Sequence, residues 1–68
     1  MMPKGKVKEY NSSRGYGIII DSDTNRQHTV YANNIILKKG EVLNENQEVS
    51  FEIEHHRNDD WAVDVRIS

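Results

Sequence analysis

Five consecutive residues, Arg14-Gly15-Tyr16-Gly17-Ile18, bring a guanidinium, a phenol ring and two glycines together, shortly after Lys6-Val7-Lys8. A flat ring on an open strand is a platform on which a nucleobase stacks, and cations beside it meet backbone phosphates. Together the two effects hold single strands with little sequence preference. Glycines weaken a strand, so each needs a reason. Here they either leave the Tyr16 ring uncrowded or mark a tight bend of the sheet.

The other chemically capable residues point elsewhere. His55 and His56 are adjacent, and neighbours on a strand face opposite ways, so they chelate poorly; His28 stands apart. The chain has no cysteine, which excludes disulfides and thiolate metal sites. Asp59-Asp60 close the segment HHRNDD, whose Asn and Asp suit a turn better than acid–base chemistry. No nucleophile–base constellation and no P-loop are present. Neither an enzyme, nor a cofactor, nor a metal is expected.

Charge is uneven along the chain. Residues 1–20 carry Lys4, Lys6, Lys8 and Arg14 against Glu9, whereas residues 41–68 carry eight acids against Arg57 and Arg66. An anion prefers the N-terminal part. The plainer account is that any small soluble domain needs a charged surface. The net charge of −2 argues against a general polyanion binder. No stretch approaches the roughly 18 apolar residues that span a bilayer, and MMPKGKV lacks an apolar signal core. A cytoplasmic protein without a membrane partner is expected.

These residues must be positioned by strands. QEVSFEIE alternates Val49, Phe51 and Ile53 with polar residues, and Trp61, Val63, Val65 and Ile67 alternate in the last segment. Both read as half-buried strands, with HHRNDD turning between them. On this alternation Trp61 belongs with the inward set at the core or barrel rim; as a residue following a turn, it has an exposed stacking position as the alternative. Upstream, KGKVKEY points Val7 inward with Lys6 and Lys8 outward. YGIIID puts Tyr16 and Ile18 on one face and Gly17 and Ile19 on the other, and QHTVYA is a third strand. NNIIL suits a short helical turn, and KKGEVLNEN a loop. Five short strands in 68 residues predict one domain, residues 1–68, folded as a small closed barrel.

GKVKEYNSSRGYGIII resembles the opening of the bacterial cold-shock domain family, which reads approximately G-K-V-K-W-F-N-x-x-K-G-F-G-F-I. NENQEVSFEIE and WAVDVRIS resemble that family's fourth strand and its ending, so the likeness spans essentially the whole chain. It implies an all-β fold, a five-stranded antiparallel OB barrel. It also implies binding of single-stranded RNA or DNA, as an RNA chaperone or a regulator of transcription or translation. Carried over by position, Lys8, Tyr10, Asn11, Gly15 and Tyr16 match family residues, and Arg14 replaces a lysine. Tyr31 takes the place of the histidine in Val-Phe-Val-His-Phe, or, one residue along, of its last phenylalanine. Strand parity favours the first, with Thr29 and Tyr31 outward and Val30 inward. The expected interface is Lys6, Lys8, Tyr10, Asn11, Arg14, Tyr16, Ile18, Thr29 and Tyr31.

The departures are as informative. Glu9 replaces the family's stacking tryptophan; Ile18, Thr29 and Ala32 replace phenylalanines; Gly40 lies where a loop phenylalanine usually sits. Each lost stack costs roughly 1–3 kcal/mol. The expectation is weak, salt-sensitive binding. The competing expectation is a degenerate barrel that serves as a protein-interaction domain.

Overall fold

The computed structural model describes residues 2–68. Strands β1 (Lys4–Asn11), β2 (Tyr16–Asp21) and β3 (Gln27–Tyr31) lead into a short 3-10 turn, Ala32–Asn34. A loop then reaches β4 (Glu48–His56) and β5 (Asp59–Ile67). The strands close into a barrel in the order β1-β2-β3-β5-β4. Four neighbouring pairs are antiparallel. The fifth, β3 with β5, is parallel through Thr29↔Trp61 and Val30↔Ala62. The five-stranded antiparallel OB barrel expected from the sequence is thus closed by one parallel seam, for a topological reason: a ring of five strands cannot alternate direction all the way round.

The core is Val7, Ile19, Val30, Val49, Phe51, Ala62 and Val65, each fully buried. Phe51 is the largest of them, and burying such a ring contributes roughly 1.5–3 kcal/mol. Two polar residues join the interior, Asp21 and His28. Oδ1 of Asp21 accepts from the backbone N–H groups of Asp23 at 2.8 Å and Thr24 at 3.2 Å, which closes the β2–β3 turn. Nδ1 of His28 lies 3.3 Å from the carbonyl oxygen of Asp60, tying β3 to the start of β5.

Two irregularities decide which side chains face outward. On β1, Val7 pairs with Ile19 but Glu9 pairs with Ile18, so Lys8 is an extra residue. On β5, Ser50↔Arg66 is followed by Glu52↔Val63, so β5 holds one residue more than β4 there. Asp64 within that stretch takes φ +50. A bulge reverses the inside–outside alternation beyond it. The expected inward set of β5 therefore splits. Val65 and Ala62 are buried, while Trp61 and Val63 pair with the outward Glu54 and Glu52. Trp61 sits outside the core, half-buried, against the inward placement. Ile53 keeps the inner side yet is 36% exposed. The β4–β5 turn is also tighter than HHRNDD suggests. His55 and His56 end β4, Asp59 and Asp60 begin β5, and only Arg57 and Asn58 turn the chain.

Candidate nucleic-acid interface

Cross-strand partners share a face, so the strand pairing lays out the outer surface. One row runs Asn11, Tyr16, Tyr31 across β1, β2 and β3. The next runs Glu9, Ile18, Thr29, Trp61, Glu54 across all five strands. A third joins Lys6, Ile20 and Gln27. The alternation expected for β2 and β3 is observed: Tyr16, Ile18, Thr29 and Tyr31 face out while Gly17, Ile19 and Val30 face in.

The glycines acquire specific reasons. Gly15 has φ +79, which the turn between β1 and β2 requires, and its N–H donates to the Asn11 carbonyl at 2.8 Å. Gly17 faces inward. A Cβ there would collide with the Glu9 carbonyl oxygen and lie 2.8 Å from Cα of Tyr10. Its task is to let β1 approach closely beside the bulge, rather than to uncrowd Tyr16.

Tyr16 is 41% exposed, and Nη1 of Arg14 donates to its hydroxyl at 3.3 Å. Asn11 holds the turn, its Oδ1 accepting from the Arg14 N–H at 3.0 Å. The Tyr16 and Tyr31 ring centres are 6.4 Å apart and tilted by 45°. Tyr31 continues to Trp61 at 4.7 Å and 59°, and Trp61 to His56 at 3.7 Å and 25°, a stacked pair. The result is a chain of four aromatic rings crossing β2, β3, β5 and β4. Thr29 Oγ1 donates to Oδ2 of Asp59 at 2.7 Å, and His56 Nε2 lies 2.7 Å from the Glu54 carboxylate.

The remaining expected residues are arranged differently. Beyond the β1 bulge Tyr10 pairs with the inward Gly17 and packs against the core, on the side opposite Tyr16. Tyr10 still borders an open hollow of about 460 Å³ with Glu9, Asn11, Tyr16, Ile18 and Glu45. Lys6 and Lys8 line a separate hollow with Ile20, Ser22, Asn25 and Asn46. Ile20 lies four residues along β2 from Tyr16, or about 13 Å at strand rise. Arg14 is thus the cation at the Tyr16 hydroxyl, and the two lysines lie on the Ile20 side. Trp61 and His56 were missing from the expected interface. The signal for them lay in a turn followed by a lone tryptophan, which unbroken alternation sent inward. Among the described residues no cluster of three His, Cys, Asp or Glu side chains is arranged to hold a metal.

A family model described as 'Cold-shock' DNA-binding domain matches residues 3–68. The probable cold shock protein A of Mycobacterium tuberculosis is 37% identical over 65 residues, which cover 96% of this chain and 97% of the relative. The cold shock-like protein CspC of Buchnera aphidicola is 37% identical over 62 residues, covering 91% and 90%. Among solved structures, one described as drosophila Unr CSD456 matches with a TM-score of 0.81 over 100% of this chain. At 12% identity that match speaks for the fold alone, and it spans 27% of the longer chain.

Proposed function

The chain belongs to the cold-shock DNA-binding domain family, and on that premise we propose that residues 1–68 act as one domain holding single-stranded RNA or DNA on the outer face of β1–β3. The observation that carries this is the outward Tyr16–Tyr31 pair with the Arg14 guanidinium on the Tyr16 hydroxyl. Rings take the bases, and Arg14, Lys6, Lys8 and Asn11 meet the backbone, with Ile18 and Thr29 between them. The action is passive: stacking on protein rings competes with base pairing, so a bound strand stays melted without ATP. That is the work of an RNA chaperone, or of a transcription or translation regulator, in the cytoplasm, and it needs no catalysis. Glu9 and Glu45 beside Tyr16 repel phosphate and keep affinity modest.

Amide chemical-shift mapping with a single-stranded hexanucleotide at low salt tests the reading. Perturbations clustered at Arg14, Tyr16, Ile18, Thr29 and Tyr31, and weakened binding in Tyr16→Ala, are expected. Scattered or absent perturbations would remove it.

One observation favours a second reading, a protein-interaction barrel. Tyr10, Ala32, Ile35, Leu37, Val42 and Leu43 line an apolar hollow of about 350 Å³, and Leu37 and Val42 are 40% and 63% exposed. A strand-binding null, with Val42→Glu abolishing capture of a protein partner, would select it.

A further inference from the structure

Where the strand runs on this face is a separate question, and its answer rests on the single-strand reading above. The row Glu9, Ile18, Thr29, Trp61, Glu54 has a carboxylate on β1, an indole on β5 and a second carboxylate on β4. On the β1 side the one ring, Tyr10, packs against the core, and Glu9 and Glu45 flank the hollow it borders. At the β5 end the rings of Tyr31, Trp61 and His56 follow one another at 4.7 and 3.7 Å.

His56 shows what the indole accepts. A flat heteroaromatic ring lies on it at 3.7 Å and 25°, the arrangement a nucleobase adopts on an aromatic side chain. The imidazole is not locked there. Its side chain is 36% exposed, and its one polar partner is Glu54, itself 54% exposed. An exposed pair of this kind holds a side chain weakly. Arg57 and Arg26 border the adjoining hollow with His56, so cations stand near the ring that covers the indole. Asp59 and Asp60 share that hollow, but both are engaged. Asp59 accepts from Thr29, and Asp60 lies 2.8 Å from Nδ1 of His55.

We infer that Trp61 is a base-stacking subsite for single-stranded nucleic acid. The strand crosses from Tyr16 over Tyr31 to the β3–β5 seam and displaces His56 from the indole, instead of running toward β1. A stacking ring lost at Glu9 on β1 is thereby replaced on β5 within the same cross-strand row.

Trp61 is the only tryptophan in the chain, so its fluorescence reports this subsite directly. The experiment titrates the full chain with end-labelled hexathymidylate at low salt, following strand anisotropy and Trp61 emission together. Quenching that saturates in step with anisotropy is expected. Trp61→Ala, checked for folding by far-UV circular dichroism, should bind about 5- to 100-fold more weakly. His56→Ala leaves the indole in place and removes its occupant, so binding should tighten by a small factor and quenching should deepen. Anisotropy that rises with Trp61 emission unchanged overturns the subsite while leaving the single-strand reading intact. Binding weakened by His56→Ala as much as by Trp61→Ala overturns the displacement of His56. No anisotropy change at all overturns both the subsite and the reading beneath it.

Discussion

The bulge at Lys8 in β1 and the one at Asp64 in β5 use the same device and deliver opposite chemistry. Each adds one residue and reverses the alternation beyond it. On β1 the reversal turns Glu9 out and Tyr10 in. On β5 it turns Trp61 out and Ala62 in. The two outward residues belong to one row across the barrel, so the same surface is acidic where β1 crosses it and aromatic where β5 does. Barrel closure fixes where the irregularities fall; the residue beside each decides what the face offers. The bulges also differ in tolerance, because β1 is pressed onto Gly17 while Asp64 sits exposed in a left-handed conformation.

The contrast can be broken in several places. Gly17→Ala should destabilise by about 1–3 kcal/mol or more, since backbone rather than a flexible side chain blocks the added methyl. Urea unfolding of the variant measures it, and wild-type stability would mean that β1 is free to move away. Glu9→Trp would make the acidic end aromatic and should strengthen strand binding by about 1–3 kcal/mol in titration, the value of one stacked base. No gain would show that the residue at position 9 does not set the strand's path. Arg14→Gln should reduce the slope of log affinity against log salt by about 0.7, the contribution of one phosphate contact on a single strand. Asp64→Gly should raise the unfolding free energy, measured in urea, by less than about 1 kcal/mol, because glycine takes φ +50 without strain.

The parts of the molecule that unbroken alternation describes were readable from the sequence. β2 and β3 contain no bulge, and Tyr16, Ile18, Thr29 and Tyr31 face out as their spacing predicts. The family likeness of GKVKEYNSSRGYGIII, the strand count and the short turn after β3 were legible for the same reason: each is a local pattern. The faces of Tyr10 and Trp61 were not. Neither Lys8 nor Asp64 is a glycine or a proline, so no residue type announces the irregularity. The parallel seam was also hidden in the residues, although counting strands in a closed ring demands it. Trp61 meets Tyr31 only because that seam brings β5 beside β3.

The same seam has a kinetic consequence. Two residue pairs join β3 to β5, against the long ladder of β4 with β5, and beyond them lie the lone bridge Ile35↔Val65 and the Ile36 N–H on the Val65 carbonyl at 2.8 Å. Breathing of the barrel should begin along this line, and its amides should exchange with deuterium before those of the β4–β5 hairpin. A polymer lying across Tyr31 and Trp61 would act as a clasp over the gap, slowing that exchange and raising the melting temperature with the logarithm of its concentration once that exceeds Kd.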